Sequence, residues 1–108
     1  MNRPTIVCLC GSTRYMEAFR QANFQETLAG KIVLSIGCDT KSDLALALTA
    51  QDKERLDRLH LQKIDLADEV LILNQDGYIG ESTQRELTYA KESGKRVRFL
   101  SAPPEGEG

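Results

Sequence analysis

Gly11-Ser12-Thr13-Arg14 and Glu86 are the residues whose types and positions best suit chemistry on a bound small molecule. The first group follows an apolar run, Thr5 to Cys10, and precedes a segment patterned as a helix, so it occupies a strand-to-helix turn. A glycine there allows a sharp turn, and the backbone N–H groups after it point outward with the positive end of the helix dipole behind them. Ser12 and Thr13 add hydroxyl donors, and Arg14 can clamp two oxygens of a phosphate. A Ser or Thr helix cap would explain one hydroxyl without any ligand, but not the four residues together.

Glu86 lies one turn into a helix entered through Gly77-Tyr78-Ile79-Gly80-Glu81. Thr83-x-x-Glu86 has the spacing of a capping box, in which the Glu reaches back to the cap's N–H. The functional alternative is a carboxylate beside a bound sugar, acting as nucleophile or electrostatic stabiliser at an anomeric carbon. His60, the single histidine, falls on or beside the apolar stripe of a long helix. It is either a packing residue or an acid for a leaving group, a role its ordinary pKa suits. Asp65 and Asp68 read as solvated, or as pinning the turn into the next strand, and Asp76 and Glu81 as loop charges within reach of a sugar hydroxyl.

These groups need a scaffold, and 108 residues make one domain: 1–100 folded, with 101–108 a polar, Pro- and Gly-containing tail that has nothing to bury. The net charge of −2 and the scattered Lys and Arg argue against a nucleic-acid polymer or a membrane surface as partner. Lys95, Arg96 and Arg98 are the densest basic group, and the two arginines alternate with Val97 and Phe99 as on the polar side of a strand. No signal peptide and no bilayer-length apolar run is visible. With three cysteines, Cys8, Cys10 and Cys38, a disulfide framework is not expected, and the setting reads as the reducing cytoplasm. Cys8 and Cys10 share one face of a strand, but no second Cys/His pair follows at a usable spacing. Neither a metal nor a cofactor is expected.

Hydrophobic patterning predicts strands at 5–10, 32–36, 70–73 and 96–100. Helices are expected over 14–28 (apolar at Met16, Phe19, Phe24 and Leu28), from Thr49 with Asp52 as capping partner (stripe Leu56, Leu59, Ile64, Ala67), and over 82–93. Gly30 and Gly94 read as helix stops. Segment 38–48 is a short helix or a loop over the core. Alternation of strands and helices implies parallel pairing and right-handed crossovers, hence a small doubly wound Rossmann-like or flavodoxin-like α/β sheet of four to five strands in the order 2-1-3-4. In such a sheet ligands bind beyond the carboxyl ends of the strands where the order reverses, between strands 1 and 3. The loops there are Gly11 to Arg14 and Asn74 to Thr83, which makes Asn74, Gly80, Ser82 and Thr83 candidate ligand contacts as well.

Three segments together resemble the nucleoside 2-deoxyribosyltransferase-like superfamily, which includes deoxynucleoside 5'-monophosphate N-glycosidases. They are Cys10-Gly11-Ser12-Thr13-Arg14, Ala67-Asp68-Glu69-Val70, and Gly80-Glu81-Ser82-Thr83-x-x-Glu86-Leu87-x-x-Ala90. The resemblance runs from the first strand to Leu100, and its third segment is the most specific. It implies a Rossmann-like fold, a small-molecule nucleoside or nucleotide partner, and a carboxylate nucleophile that forms a glycosyl–enzyme intermediate, matched here by Glu86. It also implies phosphate contacts at Gly11, Ser12, Arg14 and Ser82, and a homodimer or larger homo-oligomer. This chain departs from the family pattern in two places. Val7-Cys8-Leu9 stands where family members often carry a strand-1 Tyr, and His60 stands where they often carry an Asp.

Two further readings remain open at the level of sequence. One is a binding or sensor protein for a nucleotide or ADP-ribose-like ligand, in which Glu86 is a cap and hydrogen-bonder. The other is a phosphoribohydrolase of the cytokinin-activating type. Those chains usually carry a Pro-Gly-Gly-x-Gly-Thr loop, where this one has Tyr78-Ile79-Gly80-Glu81-Ser82-Thr83.

Overall fold

The computed structural model describes residues 3–36 and 48–101. In chain order the elements are β1 (Ile6–Gly11), α1 (Met16–Leu28), β2 (Ile32–Leu34), α2 (Ala50–Leu66), β3 (Glu69–Leu73), α3 (Glu81–Glu92) and β4 (Arg96–Phe99). The strands form one sheet in the order β2-β1-β3-β4, every pair parallel, as the alternating pattern implies. The expected tail and the ambiguous 38–48 segment, apart from Ser101 and Leu48, lie outside the described residues, as does Cys38.

The two central strands show why the sequence reads as unbroken apolar runs. β1 and β3 pair Cys8 with Val70, Leu9 with Leu71 and Cys10 with Ile72, and both faces of this pair are covered. Val7, Leu9, Leu71 and Leu73 pack on one side against Ala18, Phe19 and Ala22 of α1. Cys8, Cys10, Val70 and Ile72 face the other side, under Ile64 of α2 and Leu87 and Ala90 of α3. Strand alternation thus sends both thiols to the α2–α3 side.

Two helix faces differ from expectation. Phe24 and Leu28 are 64% and 70% exposed. At 3.6 residues per turn Phe24 points about 140° away from Phe19, and Ala18 and Ala22 take the buried positions instead. In α2 Ile64 and the following Ala67 are buried and Leu56 half-buried as expected, but Leu59 is exposed and His60 takes its place in the stripe. The expected N-terminus of α2 is present in full: Thr49 Oγ1 accepts from Asp52 N at 3.0 Å, and Asp52 Oδ2 accepts from Thr49 N at 3.0 Å. The first helix is preceded by a 3-10 turn, Thr13–Tyr15, instead of running from Arg14.

Asp68 pins the start of β1 to the approach to β3. It receives the Arg3 guanidinium at 2.6 and 2.8 Å and Ile6 N at 2.8 Å. These donors, Arg3 first, hold its pKa down at about 2, below the usual unfolded value near ~3.9. A depressed folded-state pKa adds stability above the unfolded value and loses it as pH falls through the folded one. Between pH ~4 and ~2 the wild type should therefore lose more stability than Asp68→Asn, a difference readable from urea midpoints across that range.

Glu69, the first residue of the inner strand β3, is buried, with Lys31 Nζ and Arg98 Nη2 each 3.0 Å from Oε1. Glu26 bridges the same two cations. Arg98 therefore takes the structural role expected of a strand's polar side. Removing the central carboxylate leaves Lys31 and Arg98 with Glu26 alone, so Glu69→Ala is expected to cost about 1–3 kcal/mol in chemical denaturation.

Candidate active site

The carboxyl ends of β1 and β3 open into a cleft of about 580 Å³, a size that suits a nucleotide-sized ligand. Gly11, Ser12 and Thr13 line one side, the start of α3 (Gly80 to Thr83, and Glu86) another, and Lys53, Leu56, Asp57 and His60 of α2 a third. Six of the eight candidate ligand contacts, together with Glu86 and His60, thus come together at the switch point of the sheet.

Gly11 is needed here for a reason other than turn freedom, since it is not among the left-handed residues. A Cβ on it would stand 3.0 Å from Leu73 Cβ and 3.4 Å from Phe19 Cζ. Its missing side chain lets β1 end against β3 and α1 while the next residues turn into the cleft. Ser12 Oγ caps the 3-10 turn by accepting from Arg14 N at 3.1 Å, which leaves its hydroxyl proton free to donate.

The capping-box reading of Glu86 is overturned. The N-cap of α3 is Gly80, with no side-chain cap, and Thr83 is a buried residue inside the first turn. The helix enters three residues earlier than that box requires. Glu86 therefore projects from the second turn, its side chain 15% exposed, with Oε1 3.8 Å from His60 Nε2. The uncapped N–H groups at the start of α3 face the same cleft, where the helix dipole favours an anion.

Burial pushes the Glu86 carboxyl above the usual carboxylate range, while His60 pulls in the opposite direction. Burial disfavours the His60 imidazolium, but the Cys8 and Glu86 side chains outweigh it and raise the imidazole's pKa. Beneath this pair, Cys10 Sγ lies 3.4 Å and Cys8 Sγ 3.7 Å from the same Nε2. The hydrogen bond from Cys10, with His60 assisting, draws the Cys8 thiol down to about 6, and Cys10 is raised in turn. Cys8, Cys10 and His60 offer ligand atoms all within 4.8 Å of one another. Spacing along the chain missed this grouping because the third ligand comes from a helix fifty residues away.

Two expected contacts lie elsewhere. Asn74 is buried and spends its amide on Ser101, donating to its carbonyl at 3.0 Å and accepting from its N–H at 2.9 Å; it ties β3 to the end of β4 and does not line the cleft. The Arg14 guanidinium sits over the Tyr78 ring, 4.4 Å from its centroid, outside the lining. Tyr15 meets that ring edge-on at 6.0 Å, so an aromatic and cationic rim borders the cleft at Tyr78. Lys53 and Asp57 were missed as lining residues. They are joined by an ion pair of 3.0 Å. Their spacing to His60 and Ile64 marks one helical face, which is the signal that locates them.

These features define a doubly wound α/β domain with a cleft of mixed polar and apolar lining, a helix N-terminus at its side and a buried carboxylate–imidazole pair. The chain matches no protein-family model and no curated protein. No helix among the described residues is long and apolar enough to cross a membrane.

Proposed function

We propose that this protein cleaves or exchanges the N-glycosidic bond of a (deoxy)nucleoside or nucleoside 5'-monophosphate, with Glu86 as nucleophile. The observation that carries the reading is that Glu86, freed from helix capping, faces the cleft one turn below the Gly80–Thr83 helix start and opposite the Gly11–Thr13 turn. The sequence resemblance to the nucleoside 2-deoxyribosyltransferase-like superfamily points the same way. The 5'-phosphate sits between the Gly11 turn and the first N–H groups of α3, with Ser12, Thr13 and Ser82 donating and Lys53 supplying charge.

A Glu86 carboxylate oxygen bonds to C1' as the C1'–N bond breaks. The bond's electron pair leaves with the base, which takes a proton from water in the open cleft. Water or a second base then attacks C1', releasing the sugar and restoring the carboxylate. His60 acts as a positioning residue: Nε2 faces Glu86 and the sulfurs and opposes the effect of burial on the carboxylate. Buried free thiols at Cys8 and Cys10 suit a reducing cytoplasm, and the resemblance implies a homodimer. The test is base release from dNMPs, nucleosides and NAD-type substrates assayed in parallel. Turnover of a nucleotide supports the reading, and tight calorimetric binding without any turnover replaces it with a nucleotide sensor. That sensor reading draws on Val7-Cys8-Leu9, which lie fully buried where a family Tyr would stand.

A further inference from the structure

Three groups with lone pairs converge on one nitrogen under the floor of the cleft. His60 Nε2 lies 3.4 Å from Cys10 Sγ, 3.7 Å from Cys8 Sγ and 3.8 Å from Glu86 Oε1. A neutral imidazole offers at most one N–H at that atom, and one N–H cannot serve three neighbours. A cation held by this nitrogen and both sulfurs would relieve that conflict and lie beside the carboxylate. With metal–sulfur bonds near ~2.3 Å and metal–nitrogen bonds near ~2.0 Å, a tetrahedral site has S···N edges of about 3.5 Å, and the two observed S···N distances fall on either side of it. Both thiols and the imidazole are buried, and all three are held by rigid elements, β1 and α2. Access is through the cleft, which His60 and Glu86 line.

We propose that Cys8, Cys10 and His60, whose ligand atoms all lie within 4.8 Å of one another, hold a thiophilic divalent ion, zinc by its chemistry, with the fourth position open toward Glu86 and the cleft. Two thiolates and an imidazole select a borderline-soft ion over magnesium or calcium, which prefer all-oxygen shells. Binding expels the thiol protons and leaves two thiolates and one imidazole around the ion, with the fourth position taken by water. The ion would lie under the carboxylate that the glycosidic reading requires, without taking it as a ligand. The inference does not depend on that reading, because ion binding is measured without nucleotide.

The experiment uses the full chain carrying Cys38→Ser, reduced and stripped with a chelator, titrated with cobalt(II) and then zinc. The expected result is one cobalt per chain with thiolate-to-cobalt charge-transfer absorption, displaced by zinc, and a rise in melting temperature with zinc but not magnesium. Cys8→Val or Cys10→Val should abolish the charge-transfer band, and Glu86→Gln should weaken binding by about tenfold or more. X-ray absorption on the zinc-loaded chain without these ligand substitutions needs no variant to fold, and should show two sulfur neighbours at ~2.3 Å and two lighter atoms. No charge-transfer band, or a zinc shell without sulfur, overturns the proposal. So does a band that survives in a folded Cys8→Val or Cys10→Val variant. Loss of base release with metal binding intact would instead count against the glycosidic reading alone.

Discussion

Glu86→Gln is expected to lower kcat for base release by about a thousandfold or more, equivalent to roughly 4 kcal/mol of transition-state stabilisation, while KM changes little. The amide keeps the shape of the side chain but has no anionic oxygen to bond to C1'. The groups proposed to hold the phosphate, Ser12, Thr13, Ser82 and the α3 N-terminus, are left in place by the substitution. The fold should not suffer. Glu86 caps nothing, and burial disfavours its charge, so a neutral isostere should melt at the wild-type temperature or above it. Steady-state kinetics on the best substrate of the panel, with a thermal melt of the same preparation, reads both quantities. A melt unchanged with kcat unchanged would remove Glu86 from the chemistry.

The second large effect falls on Gly11. Gly11→Ala places a Cβ 3.0 Å from Leu73 Cβ, which must give by a few tenths of an ångström. Gly11→Val adds two methyl groups at the end of β1, near Leu73 and Phe19, where the core is closed. Overpacking of this kind costs about 1–3 kcal/mol, with Val at the upper end and Ala at the lower. It also displaces Ser12 and Thr13, because they follow Gly11 directly into the cleft. Nucleotide affinity should therefore fall tenfold or more in Gly11→Val, beyond any loss from partial unfolding. Urea denaturation and calorimetric titration with a dNMP measure the two effects separately. Wild-type stability in Gly11→Val would show that the strand end yields freely.

How far the sequence reaches is clearest from individual positions. The apolar runs at 5–10 and 70–73 announce buried parallel strands, and they prove to be the adjacent central pair. The Thr49–Asp52 pair marks the start of α2 because a capping box is local chemistry. The same local signal misleads at Thr83 and Glu86, where the helix begins at Gly80 and the box spacing has no cap to serve. Phe24 and Leu28 mislead in another way: their apolar character suggests burial, but the narrow face α1 presents to the sheet is filled by two alanines and Phe19.

For the cleft, topology alone places Gly11 to Thr13 beside Gly80 to Thr83, because a 2-1-3-4 order puts both loops at the switch point. What stays illegible is contact between distant elements. Nothing near Asn74 in sequence reveals that Ser101 will claim its amide. Nothing near Arg14 reveals the Tyr78 ring beneath it. The meeting of Cys8, Cys10, His60 and Glu86 depends on strand parity, on the rotation of α2 and on the start of α3, and each is fixed only by the packed core.

The most direct test of Glu86 as nucleophile is to trap the intermediate. The protein is incubated with a 2'-fluoro-substituted nucleoside monophosphate of the preferred base, whose glycosyl–enzyme breaks down slowly, and then digested for mass spectrometry. The predicted result is that base is released once per site and that the peptide carrying Glu86 gains the mass of the sugar phosphate. Release of base with that peptide unmodified, or with the adduct on another residue, would contradict it.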